Sequence, residues 1–209
     1  MMIRSNTQYI ETYMAQIQEV VANLPMDIVE QIIDMLLESA RCGSKVFICG
    51  NGGSASTASH FVCDLAKNTM VPGAPQFRVI GLTDNMALMT AWSNDTAYDN
   101  AFAAQLSPLV EPGDVVIGIS CSGNSANVLN AMDVARQRGA STIGFSGDHG
   151  GRLKDMVDVC ICVPSPRIEQ QEDVHLILEH SICAAIRDKL TQEYTLIASP
   201  PVALALSQE

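Results

Sequence analysis

The chain reads as an α/β protein, a five-stranded parallel sheet flanked by helices, with an N-terminal helical extension. Three observations predict it. Five short apolar runs of strand length lie at about 45–49, 78–82, 114–119, 141–146 and 158–163. Helical patterns alternate with them, around 54–67, 84–92, 98–108, 126–138 and 150–155. At 209 residues and 47% hydrophobic composition, the chain suits one domain with a full core.

The elements follow in order. Residues from about 5 to 23 form an amphipathic helix. The next helix places Met26, Ile28, Val29, Ile32, Ile33, Leu36, Leu37 and Ala40 close to the i, i+3, i+4, i+7 pattern, and Gly43 is placed to stop it. These two wide apolar faces precede the sheet and predict pairing between copies, hence a homo-oligomer. The alternating strands and helices come next. A long helix from about 169 to 191 closes a single domain over 1–191. The tail over 192–209 carries Ser199-Pro200-Pro201 and the apolar run 202–206, and reads as mobile.

Charge and cysteine usage narrow the function. Formal net charge is -11 with no Lys/Arg cluster, which argues against a nucleic-acid surface. No apolar run reaches membrane-spanning length. The cysteines, at 42, 49, 63, 121, 160, 162 and 183, are odd in number and several lie in strand-like runs. With no signal peptide visible at the start, reduced thiols in a cytoplasmic protein are expected. Cys160 and Cys162 alternate within a strand and read as core.

The chemistry concentrates at two strand-to-helix junctions. The run 114–120 leads into Cys121-Ser122-Gly123-Asn124-Ser125, just before a helix. Free N–H groups of a first helical turn and the helix dipole favour an anion there. Ser120, Ser122 and Ser125 add hydroxyl donors. The run 45–49 enters Gly50-Asn51-Gly52-Gly53-Ser54, again before a helix. This second loop has neither dinucleotide-fingerprint spacing nor the Gly-Lys-Ser/Thr of a P-loop. A serine-capped turn alone would explain either junction. Two of them at the carboxyl ends of strands read as a phosphate cradle for a sugar phosphate. On the helix after the second loop, His60 and Asp64 are i, i+4 and share a face, with Lys67 at i+7 placed to meet the anionic end of a substrate. A lone His–Asp pair of this kind is also an ordinary surface hydrogen bond. His175 and His180 lie about 140° apart around a helix, so one of them, His175, is expected to be structural. His149, in a turn-like segment, reads as a surface residue.

Lys45 to Ser54, then His60-Phe61, then Gly118 to Ser125 together resemble the sugar isomerase (SIS) domain, with its flavodoxin-like fold. Within that family the chain is most similar to the phosphoheptose isomerases, from the first helix to the last. The resemblance implies an aldose–ketose isomerase that converts D-sedoheptulose 7-phosphate to D-glycero-D-manno-heptose 7-phosphate through an enediol. It implies a homotetramer with active sites between subunits, and one zinc ion per site. Ser54, Ser120, Ser122 and Ser125 would contact the phosphate, with Asn51, Gly52 and Gly53 shaping the site. Asp95 would contact the sugar, His180 would be the acid/base histidine and His60 a metal ligand.

Three departures from the family pattern stand out. Asp64 occupies the place of a catalytic glutamate, one methylene shorter, beside Cys63. In Arg167-Ile-Glu-Gln-Gln-Glu-Asp-Val-His175 three extra residues separate the Arg from the His. Counting back from His175 puts Glu172 at the family's glutamine, whereas counting from Arg167 favours Glu169 to Gln171. The retained His175–His180 spacing favours Glu172, both for substrate and as a ligand beside His60, Asp64 and His180. Cys121 stands where threonine is common; it loses a hydroxyl but keeps its N–H. Asp64 and His180 are the expected proton carriers. Other readings compete: isomerisation of a different ketose phosphate, a non-catalytic SIS adaptor of the replication initiator, or a sugar-phosphate sensor. Such adaptors can lose the final-helix histidine, and this chain keeps it.

Overall fold

The computed structural model describes residues 5–198. Of the expected tail over 192–209, the part from 199 onward lies outside these residues. Helix α1 (Asn6–Ala22) starts at a reciprocal cap: Gln8 N–H donates to Ser5 Oγ (3.2 Å) and Ser5 N–H to Gln8 Oε1 (3.0 Å). Helix α2 (Met26–Cys42) ends at Gly43, as its pattern predicts, and buries Ile32, Ile33, Leu36, Leu37 and Ala40. Then follow β1 (Lys45–Gly50), α3 (Gly53–Cys63), β2 (Arg78–Gly81), α4 (Met86–Asp95), α5 (Ala101–Leu106), β3 (Val115–Ser120), α6 (Ala126–Gln137), β4 (Ser141–Ser146), α7 (Gly151–Met156), β5 (Val159–Cys162) and α8 (Ile168–Ala198).

All strand pairings are parallel, in the order β2-β1-β3-β4-β5. The order reverses between β1 and β3, and the crevice beyond their carboxyl ends is where such sheets take ligands. Strand residues alternate between two cores. Val46, Ile48, Val115 and Ile117 join α2, α3 and α8 on one face; Phe47, Cys49 and Val116 join α5 and α6 on the other. Helix α1 packs on α8 of its own chain. Tyr13 donates to Asp173 (2.5 Å), and Arg167 lies against the rings of Tyr9 and Tyr13.

Two elements differ from the pattern. The helix expected over 54–67 becomes α3 followed by a π-helical turn, Asp64–Asn68, which rotates the residues after Cys63. The last helix runs to Ala198 and not to about 191, because no residue over 192–198 breaks it. Among the described residues, no helix is long and apolar enough to cross a membrane. All seven cysteines are free.

Candidate active site

The loops after β1 and β3 meet over the point where the strand order reverses. Asn51 and Asn127 pair through their amides, each Nδ2 donating to the other's Oδ1 (2.8 Å), and Tyr98 OH donates to Asn51 Oδ1 (2.8 Å). This joins the first loop to the first turn of α6. Ser120 Oγ lies 3.0 Å from Ser125 Oγ and 3.4 Å from Ser122 Oγ. The hydroxyls line a cavity of about 150 Å³ with Asn51, Ser54, Ile119, Cys121, Ile168 and Glu172. No lysine or arginine lines it, so an anion there is held by hydroxyls and by N–H groups at the starts of α3 and α6. Glu172 reaches the start of α3 so closely that a Cβ on Gly53 would stand 2.4 Å from its Oε1. Gly52 carries φ 57 in the turn ahead of α3.

The second group of functional side chains lies further along α3 and α8. His60 Nε2 is 3.2 Å from His180 Nε2. Asp64 Oδ1 is 3.8 Å from His60 Nε2, and its Oδ2 is 3.9 Å from His180 Nε2. Glu179 Oε2 is 3.5 Å from His180 Nε2. One donor atom from each of His60, Asp64, Glu179 and His180 lies within 4.8 Å of the others. Asp64 is buried and accepts from Asn68 Nδ2 (2.6 Å), while both imidazoles are about half exposed. Burial first, then the neighbouring Asp64 charge, pushes the Glu179 carboxyl up to about 8. Burial and the same two carboxylates push the Cys183 thiol up. Two carboxyl groups and two imidazoles thus converge on one point. Together they can hold a divalent cation.

Helix α3 thus carries both ends of the site. Ser54 is in its first turn, and His60 stands six residues, about 9 Å, further along the axis.

The expected residues fall into three groups. His60, Asp64 and His180 come together, although His60 and His180 are 120 residues apart in the chain. Asn51, Ser54, Ser120, Cys121, Ser122, Ser125 and Glu172 line the cradle. Glu172 does not join the cation cluster of its own chain, because on one helix it stands eight residues, about 12 Å, from His180. Lys67 and Asp95 are exposed and away from the cavity of this chain. Lys67 lies within the π-helical turn, and Asp95 ends α4 with Asn94 Nδ2 donating to it (2.9 Å). Sequence reasoning missed Glu179, Asn127 and Tyr98. Glu179 did carry a signal, an acidic residue inside the buried stripe of Leu178, Ile182 and Ile186.

His175 is 1% exposed. Its Nε2–H donates to the Ser146 carbonyl (3.1 Å), which leaves Nδ1 facing Cys121 Sγ at 4.0 Å. Burial pulls its pKa from 6.5 down to about 4. A histidine kept neutral in the fold contributes stability at pH above 6.5 that is lost as pH falls through 4, about 3 kcal/mol in all. Urea unfolding of wild type is expected to show this acid-side loss between pH 6.5 and 4, and a His175→Gln variant to lack most of it. Parallel pH curves for the two proteins would remove His175 as the source. His149 is exposed, as its turn predicts.

A family model for the SIS domain matches residues 8–147. The phosphoheptose isomerase of Roseiflexus sp. (strain RS-1) is 42% identical over 164 residues, 78% of this chain and 82% of that protein. That of Rhodospirillum rubrum is 41% identical over 152 residues, 73% of this chain and 80% of its own. The solved phosphoheptose isomerase of Neisseria gonorrhoeae has a TM-score of 0.80 at 31% identity, covering 88% of this chain and 100% of that one. The chain belongs to the SIS domain family and, within it, to the phosphoheptose isomerases, a group of sugar-phosphate isomerases.

Proposed function

We propose that the chain interconverts D-sedoheptulose 7-phosphate and D-glycero-D-manno-heptose 7-phosphate. One observation carries the reading: helix α3 starts at a serine-lined cradle and ends at two members of a His/carboxylate cluster, His60 in its last turn and Asp64 directly after it. The phosphate docks on Ser54, Ser120, Ser122 and Ser125, with Asn51, held by Asn127 and Tyr98, shaping the loop. Glu172 is a carboxylate in the same cavity, so it repels the phosphate and suits sugar hydroxyls instead. The open-chain ketose then places its first two carbons at His60, Asp64 and His180. A proton leaves C1 and O2 gains one, which gives the enediol. C2 then takes a proton and O1 loses one, which gives the aldose.

Asp64 and His180 are the proton carriers in this reading. His60, Asp64 and His180 would hold a divalent cation, with zinc the best match to their nitrogen and oxygen donors, and it would supply polarisation of the substrate carbonyl. A cation-bound group is a poorer base, so each of the two residues can serve as ligand or proton carrier. The adaptor reading needs no such cluster, and the assembled His60–His180 pair favours the enzyme.

The working form in this reading is a cytoplasmic homotetramer. Two exposed apolar surfaces support the assembly: Tyr9, Ile10 and Met14 on α1, and Met86, Leu88 and Trp92 on α4, a helix with no buried residue. Free thiols throughout support the compartment.

The test is incubation of purified protein with sedoheptulose 7-phosphate, as isolated, after chelation, and after zinc is restored. NMR detection of the aldose is the expected result, with loss on chelation and recovery with zinc. A folded protein that leaves the ketose unchanged under all three conditions overturns the reading.

A further inference from the structure

Glu179 is the one described side chain whose buried nitrogen or oxygen atoms find no hydrogen-bond partner, and this holds for both of its carboxylate oxygens. It is 0% exposed on α8, beside Leu178 and Ile182. A buried charge without a partner is expensive, and native proteins satisfy it by pairing, protonation or a metal. What faces Glu179 is a second carboxylate, Asp64, and two imidazoles. None of these is a fixed positive charge.

We propose that Glu179 is the fourth donor of a divalent-cation site completed by His60, Asp64 and His180. The inference rests on the cation reading above but not on the identity of the sugar. The spacing supports it. Metal–nitrogen distances of about 2.0–2.1 Å in a tetrahedral site set neighbouring donors about 3.3 Å apart. The two Nε2 atoms lie 3.2 Å apart, and Glu179 Oε2 lies 3.5 Å from His180 Nε2. The Asp64 oxygens, at 3.8 and 3.9 Å, need only a small inward shift. Two carboxylates and two imidazoles also balance a divalent charge, so the loaded centre is neutral beside the buried Asp64 and Glu179. Donors without a thiolate suit zinc and similar borderline cations better than softer ones.

The assignment accounts for a departure in the sequence. Asp64 is one methylene shorter than the glutamate usual in the family, and Glu179 supplies a second carboxylate from the facing helix. It also frees Glu172, about 12 Å along α8, for the sugar.

The test reads zinc binding and thermal unfolding without substrate, so its failure is distinguishable from failure of the isomerase reading. Chelator-stripped wild type, Glu179→Gln, Glu179→Leu and Glu172→Gln are titrated with zinc against a chromophoric competitor. Wild type is expected to bind one zinc per chain. Both Glu179 variants are expected to bind at least about 100-fold more weakly, beyond the 10–100-fold that outer partners of a metal site carry. Glu172→Gln is expected to stay near wild type. Without metal, Glu179→Leu is expected to melt above wild type, since the unpaired carboxylate is gone, while the rise in Tm on adding zinc is largest for wild type. Glu179→Gln that binds zinc as tightly as wild type overturns the proposal. So does a wild type that binds none, or affinity that is lost in Glu172→Gln and kept in the Glu179 variants.

Discussion

His180→Gln is expected to lower kcat on sedoheptulose 7-phosphate by about 10²–10⁴-fold while leaving the fold intact. The range is what one positioned proton carrier contributes. Glutamine keeps a polar group of similar reach but cannot exchange a proton near neutral pH. The imidazole also faces His60 Nε2 at 3.2 Å and Asp64 at 3.9 Å, so its loss weakens the donor set as well as the proton relay. The stability cost is small because the side chain is half exposed, and such positions usually stay within about 0.5 kcal/mol. Steady-state kinetics by NMR and a melting curve on the same sample check both halves. A variant that turns over like wild type removes His180 from the chemistry, and one that melts far below wild type makes it structural.

Gly123→Ala is expected to be the more damaging change to the fold. Gly123 sits in the serine loop with φ 62, a conformation that costs other residues about 1–2 kcal/mol. An added Cβ would also stand 2.0 Å from the Gly150 carbonyl oxygen and 2.5 Å from its carbon. Those are backbone atoms, so the loop or the start of α7 must move, at a further cost of about 1–3 kcal/mol. The loop is pinned on both sides: Gly123 N–H donates to Ser120 O and Leu153 N–H to Gly123 O, both at 2.9 Å. Movement therefore passes to Ser122 and Ser125. The sum, about 3 kcal/mol, lowers Tm by roughly 6–12 °C for a chain of this size. KM for the phosphorylated substrate should rise with it. A Tm within about 2 °C of wild type and an unchanged KM would show that the loop tolerates the methyl group, contrary to this account.

The serine and glycine junctions were readable because their cause is local. An apolar run of strand length, a turn of small residues and a following helix need only neighbours in the chain. The stop at Gly43 and the five strands are legible for the same reason. His60 and Asp64 were legible from their i, i+4 spacing and His180 from the family resemblance, and their meeting across 120 residues comes from the packing of α8 against α3. Glu172 lies in the cradle as counted, yet not in the cation cluster of its own chain. Lys67 falls in a π-helical turn that the helical periodicity does not predict.

Pattern and composition alone carried the parallel α/β architecture, the two strand-to-helix junctions and the shared face of His60 and Asp64, while His180 was singled out by the family resemblance. The strand order, the turn at Asp64–Asn68 and the inward placement of Glu179 came only with the folded chain. Periodicity reports which residues share a helix face. Which face turns toward a given neighbour is set by how α2, α3 and the sheet close around α8, and those contacts link residues far apart in sequence. A carboxylate in an apolar stripe is costly by itself, and its function emerges when packing brings His60, Asp64 and His180 to it.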